Sequence, residues 1–201
     1  MSARERRAVG GLALLYSFRM LGLFMVLPLL ALYTAEIPGA TATLIGVAIG
    51  IYGLSQAILQ IPMGWLSDRI GRKPVILAGL VVFALGSAVA GLAESIEGVI
   101  LGRFLQGAGA IGGSVMALTA DLTRDEQRTK AMAIVGATIG VSFALALVLG
   151  PLVAASGGLS SVFNLTAGLA VFGIAIVVFI IPTPSAPVVL EDVSFRLDRL
   201  L

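Results

Sequence analysis

The sequence predicts an all-α membrane protein of six transmembrane helices, and three observations predict it. Of 201 residues, 58% are hydrophobic and 12% charged, with a mean hydropathy of +1.06; a soluble domain carries about 25% charge. The apolar residues fall in runs of the length a bilayer needs, about 20 residues per helix. The charges sit between the runs, so that residues 131–190 contain none. A water-soluble globule of this length has no interior large enough for so much apolar surface.

The elements follow in order. Residues 1–8 read as a basic N-terminal tail, and helix 1 as 9–35. This start resembles a signal peptide, but the apolar run continues past Tyr33 with no small-residue cleavage site, so it reads as retained. Pro28 is expected to kink helix 1. Helix 2 is placed at 42–67 and helix 3 at 74–93, the latter opening on Pro74, whose missing N–H costs nothing in a first turn. Helix 4 is expected as one rod over 98–121. The charge-free stretch is too long for one span. Gly150-Pro151 and Ser156-Gly157-Gly158 divide it into helix 5 at 130–154 and helix 6 at 160–181. The membrane domain is therefore 9–182. Residues 183–201 return to a soluble composition, and Val193–Leu201 alternates as a short amphipathic surface helix would.

Loop charges set the orientation. Arg4, Arg6 and Arg7 precede helix 1; Arg69, Arg72 and Lys73 lie between helices 2 and 3; Arg124, Arg128 and Lys130 lie between helices 4 and 5; Arg196 and Arg199 are in the tail. The opposite loops, near Glu36, near Glu94 and Glu97, and at 155–159, carry no Lys or Arg. The positive-inside rule then places both termini in the cytoplasm.

Composition also excludes functions. With no Cys and no His, thiolate and imidazole metal sites, Cys nucleophiles and the usual general base are unavailable. No catalytic residue, metal or cofactor is expected, and the protein does not read as an enzyme. The pI of 9.4 does not signal nucleic acid, because the basic residues flank membrane segments; the expected surroundings are membrane lipid.

The strongest local pattern is Gly64-Trp65-Leu66-Ser67-Asp68-Arg69-Ile70-Gly71-Arg72-Lys73. Gly64 would allow a neighbouring backbone close, and Gly71 the tight turn. Asp68 and Asp121 both end helices, where a carboxylate meets the negative end of the dipole and needs a cation; Arg72 and Arg69 are near in sequence. A loop whose charges serve only topology would look similar.

Two arginines lie inside spans, Arg19 and Arg103, with no membrane carboxylate to offset either. An Arg at the bilayer centre costs roughly 2.5–3.5 kcal/mol on insertion scales. Arg103, near a helix start, is within reach of the interface by snorkelling, but it too is expected to face a polar cavity or an acid on a partner. Arg19, near the midplane, is expected to face a polar cavity or an acid on a partner. Tyr52, Gln56 and Gln60 recur every four residues on helix 2 and share one face; it points at another helix or lines a cavity. Ser114, Thr138 and Ser142 are weaker candidates. The pairs Gly46/Gly50, Gly109/Gly113 and Gly136/Gly140 read as close-packing seams.

With these residues in view, the chain resembles the major facilitator superfamily. Gly64–Lys73 is similar to that family's helix 2–3 signature, G-x-L-x-D-R-x-G-R-K, at every defining position. Arg103-Phe104-Leu105-Gln106-Gly107 resembles R-x-x-Q-G, and Asp121 an acidic position that pairs with the loop arginine. Gly150-Pro151 resembles the core of the helix 5 antiporter motif G-x-x-x-G-P-x-x-G-G, with Ala146, Ala154 and Ala155 in place of three glycines. Across helices 1–6 the text, with RMLGLFMVLPLLALY, IGIYGLSQAILQIP and LSDRIGRKP, is especially similar to proton-driven drug efflux members.

The resemblance implies one half of the family's fold, a three-plus-three inverted repeat; Phe18–Gly22 loosely echoes Gly102–Gly107. It implies efflux of drugs or small molecules coupled to protons, by alternating access, in the inner membrane. In it the gating residues are Gly64, Asp68, Arg69, Gly71, Arg72, Lys73 and Asp121, and Arg103 has a part in proton coupling. Arg19, Tyr52, Gln56, Gln60 and Gln106 would line the cavity. The partner would be a second six-helix half, joined through residues 183–201 or supplied by another copy. Without it, Arg19, Tyr52, Gln56 and Arg103 are expected to lie open to lipid. The competing class is a non-transporting remnant or an assembly subunit.

Overall fold

The computed structural model describes residues 1–33 and 37–183. Every regular element among them is helical: α1 (Ala3–Leu32), α2 (Ala42–Ile70), α3 (Arg72–Gly91), α4 (Ile96–Ala108), α5 (Gly112–Asp121) and α6 (Asp125–Phe179). Five helical stretches are long and apolar enough to cross a membrane, with 96–121 taken as one. The expectations for Glu36 and for the tail beyond residue 183 lie outside the described residues.

Local chemistry explains the ends. α1 starts within the stretch expected as a tail, because Ser2 and Glu5 form a capping box. The Ser2 hydroxyl accepts from the Glu5 N–H at 3.2 Å, and the Glu5 carboxylate from the Ser2 N–H at 2.6 Å. The helix then runs past Pro28 without interruption, so the expected kink does not break it. Thr41 caps α2 by accepting from the Leu44 N–H at 3.2 Å. α2 passes into α3 through Gly71 alone, at φ 99°, a conformation that excludes most side chains.

Two expectations about helix continuity need adjusting. Helix 4 is not one rod: residues 109–111 leave the helix between α4 and α5. The run Gly107-Ala-Gly-Ala-Ile-Gly-Gly113 supplies the reason, since each Gly costs a helix about 1 kcal/mol relative to Ala. Conversely, α6 spans 55 residues, which at 1.5 Å per residue is far longer than a bilayer is thick. It is interrupted at Gly157 and at Gly158, the latter with φ 66°. The contacts with α1 show that the chain reverses there. Ser142 meets Ser17 and Gly150 meets Met25 and Leu29, whereas Gly22 meets Thr166 and Gly11 meets Ile180. One arm runs parallel to α1, and the other antiparallel.

α1 is thus the central post. Leu12, Leu15, Met25 and Leu29 on it anchor two apolar clusters, one with Ile76, Leu80, Val115 and Val177, the other with Ile45, Ile96, Val162 and Phe163. α2 buries only five residues, and Ile58, Ile61 and Trp65 stand exposed. Such apolar exteriors suit lipid.

Candidate functional site

The basic loops gather at one end of the bundle. Arg72 bridges two acids there. Its Nη1 pairs with Asp68 and donates to the Ser67 hydroxyl at 2.7 Å, and its Nε donates to Asp121 at 3.3 Å. The Ser67 hydroxyl donates in turn to the Gly64 carbonyl at 2.7 Å. The α2–α3 turn is thereby clasped to the end of α5. Both carboxylates sit in the last turns of their helices, so Arg72 offsets two unfavourable dipole positions at once. Ser67 was not singled out in the sequence; only its place one residue before Asp68 could have flagged it.

The other motif residues go elsewhere. Arg69 leaves the acids and stacks over the Trp65 ring at 3.8 Å from its centre. Lys73 donates to the Ile181 carbonyl at 2.7 Å. A Cβ on Gly64 would meet nothing within 4 Å, so the close approach expected of it is not made within this chain. Gly150 packs on α1 as part of the first arm of α6, with Pro151 exposed beside it.

A second ion pair at this end escaped sequence reading. The buried Glu5 carboxylate accepts from the Arg124 backbone N–H at 3.1 Å and from its Nε at 3.0 Å. Hydrogen bonding to Arg124, then to the Ser2 N–H, holds the carboxyl at about 2. A carboxyl depressed in the folded protein contributes stability above its unfolded pKa and loses it as pH falls through the folded value. Replacing Glu5 by Gln should therefore lower thermal stability equally at about pH 8 and pH 6, and the gap to the parent should close between about pH 4 and pH 2. A gap independent of pH down to about 2 would mean that the side-chain charge is irrelevant.

The membrane-embedded arginines are not open to lipid, contrary to expectation. Arg19 is 2% exposed, Tyr52 5% and Arg103 0%; Gln56 and Gln60 are half-buried. The reason is that the stripe on α2 turns into the bundle, toward α1 and α4. Arg19 donates through Nη2 to the Gly109 carbonyl at 2.9 Å and to Gln56 Oε1 at 3.3 Å, and lies over Phe83. The break in helix 4 frees that carbonyl, and the arginine takes it. Arg103 lies over the Tyr52 ring at 4.5 Å, donates through Nε to the Ala48 carbonyl at 3.3 Å, and through Nη1 to Gln106 Oε1 at 2.8 Å. Gln106 Nε2 donates to the Ser87 hydroxyl, which donates to the Phe83 carbonyl, both at 2.8 Å. Phe83 thus stands between the two arginine systems. Among the described residues neither guanidinium meets a carboxylate, and Nε and Nη1 of Arg19, the Tyr52 hydroxyl, Gln60 Oε1 and the Ser114 hydroxyl have no hydrogen-bond partner. Ser142 donates to the Ser17 carbonyl, and Thr138 to its own helix.

The seams are also redistributed. Gly109 packs against α3, and Gly113 has Gln60 above it, but Gly46, Gly50, Gly136 and Gly140 have no neighbour within 4 Å of a Cβ position.

A family model described as Major Facilitator Superfamily matches residues 12–195. The chain is 55% identical over 188 residues to the inner membrane transport protein YajR of Escherichia coli, covering 94% of this chain and 41% of that protein. It is 32% identical over 141 residues to the class B tetracycline resistance protein of Escherichia coli, covering 69% of this chain and 34% of that one. In fold it is similar to the human organic anion transporter MFSD10, with TM-score 0.75, 22% identity and coverage of 92% and 49%. The chain spans less than half the length of these proteins.

Proposed function

The chain belongs to the major facilitator superfamily of membrane transporters, and on that premise we propose that it is the N-terminal six-span half of a proton-driven exporter of drugs or small molecules, working by alternating access. Six spans follow if the reversal at Gly157–Gly158 is counted as a membrane turn. The basic loops then face the cytoplasm together with both termini. The engineered labelling that tests this is simple, because the chain has no native Cys: a Cys near Arg128 should react only from the cytoplasm, and reaction from outside would overturn the orientation.

The observation that carries the reading is the clasp of Asp68, Arg72 and Asp121. It joins two helix ends through partly exposed side chains, and exposed ion pairs make and break at small cost. That suits a gate which holds one conformation and releases it. Replacing Asp68 by Asn should leave insertion intact and cut transport by the complete, two-half transporter about tenfold, the effect of shifting a two-state balance by roughly 1.4 kcal/mol. Full transport by that variant would defeat the gating role.

On this reading Arg19 and Arg103 act on protons at a distance, by the positive field that they place inside the bundle, since the spans expected from the sequence carry no carboxylate but Asp121, at the end of helix 4. The open glycine faces of α2 and of the first arm of α6 are where the second half would sit.

A further inference from the structure

A groove of about 460 Å³ opens between the first turns of α1 and the end of α6, lined by Arg4, Arg7, Phe179, Ile180 and Pro182 among others. Three cations converge on the end of α6. Arg7 Nη2 donates to the Phe179 carbonyl at 3.1 Å, Arg4 Nη2 to the Thr183 carbonyl at 3.4 Å, and Lys73, arriving from α3, to the Ile181 carbonyl. The partial negative charge of a helix C-terminus, about half an elementary charge, explains the gathering but offsets only part of the charge of Arg7 and Lys73. Among the described residues neither Arg7 nor Lys73 enters an ion pair. A guanidinium has five N–H donors, so Arg7 keeps several after bonding one carbonyl. The other wall is apolar: Phe179 is 76% exposed, and Phe172 and Val178 continue the same open surface along the second arm of α6 at 67% and 50%.

We propose that this groove binds the headgroup of an anionic phospholipid, its phosphodiester against Arg7 and Arg4 and its acyl chains along Phe179 and Phe172. A free phosphate would match the cations but leave the apolar wall unused, which is why a lipid is the better occupant. Basic pockets between membrane helices on the cytoplasmic side are suited to such headgroups. The site rests on the orientation proposed above for its biological leaflet. Its chemistry does not, so binding and orientation fail separately.

The test uses the full chain in nanodiscs of dioleoyl phosphatidylcholine and phosphatidylglycerol in equal parts, with bound lipids read by native mass spectrometry. Phosphatidylglycerol should be retained in preference to phosphatidylcholine. Arg7→Gln should lower that preference about fivefold, the effect of one cation near an anionic surface, and Arg4→Gln with Arg7→Gln should lower it further. Arg7→Lys should keep most of it, and Arg128→Gln, at a site paired with Asp125, should leave it unchanged. An unchanged preference in the double variant, or an equal loss in Arg128→Gln, overturns the site. In a parallel thermal-unfolding series in detergent, phosphatidylglycerol should stabilise the parent chain more than Arg7→Gln. Inorganic phosphate at the same concentration should do nothing; equal stabilisation by phosphate overturns the lipid as the occupant.

Discussion

Replacing Arg103 by Ala should destabilise the folded chain by about 3–5 kcal/mol, the range for emptying a large buried side chain and orphaning its partners. The guanidinium is fully buried and holds three things together: the Ala48 carbonyl of α2, the Tyr52 ring, and Gln106, whose amide continues to Ser87 on α3. Alanine would leave Gln106 Oε1 without a donor in an apolar interior and a void over Tyr52. Lysine should restore only part of the loss, because an ammonium cannot reproduce the fork that serves Nε and Nη1 acceptors at once. Thermal unfolding of the purified variants in detergent measures this directly. If Arg103→Ala unfolds at the parent temperature while losing proton coupling in the complete transporter, the arginine has a coupling role alone and the bracing role fails. The expected result is that both properties fall together, with stability falling even in the chain without its second half.

What was legible in the sequence was whatever depends on one dimension. Charge position along the chain marked the connections, and Gly64–Lys73 with Asp121 marked the residues that Arg72 joins. What was not legible depends on how helices turn about their own axes. The spacing of Tyr52, Gln56 and Gln60 puts them on one face, but spacing cannot say whether a face looks into the bundle or out of it, and here it looks in. For Arg19 the sequence offers a polar cavity or an acid on a partner, and no pattern in one dimension points to a backbone carbonyl as its acceptor. A backbone carbonyl becomes available only where a helix breaks, and the apolar run over 98–121 predicts helix straight through residues 109–111, where the break lies. Glu5 and Arg124 lie 119 residues apart, a separation at which no local pattern operates. Glycine spacing is silent for the same reason: Gly46/Gly50 and Gly109/Gly113 share one spacing in sequence and meet different surroundings.

That difference yields the sharpest contrast. A Cβ placed on Gly102 would lie 2.6 Å from the Ala90 backbone nitrogen and 2.6 Å from the Gly86 carbonyl oxygen; one on Gly86 would lie 2.6 Å from the Gln106 nitrogen. These neighbours are backbone atoms, so neither rotamer change nor local adjustment relieves the clash; α3 and α4 would have to separate. Gly102→Ala should therefore cost about 3 kcal/mol, at the upper end of overpacking, and Gly102→Leu should abolish accumulation of folded protein. At Gly46 and Gly136 a Cβ meets nothing, and a helical Gly replaced by Leu gains up to about 1 kcal/mol of propensity. Gly46→Leu and Gly136→Leu should thus leave the thermal stability of this chain unchanged or slightly raised. If the open faces of α2 and of the first arm of α6 receive a second half, the same substitutions should block cross-linking to it in membranes and abolish transport by the pair. Normal cross-linking in both variants would place the second half elsewhere, because a leucine side chain cannot be accommodated where two helix backbones meet at glycine.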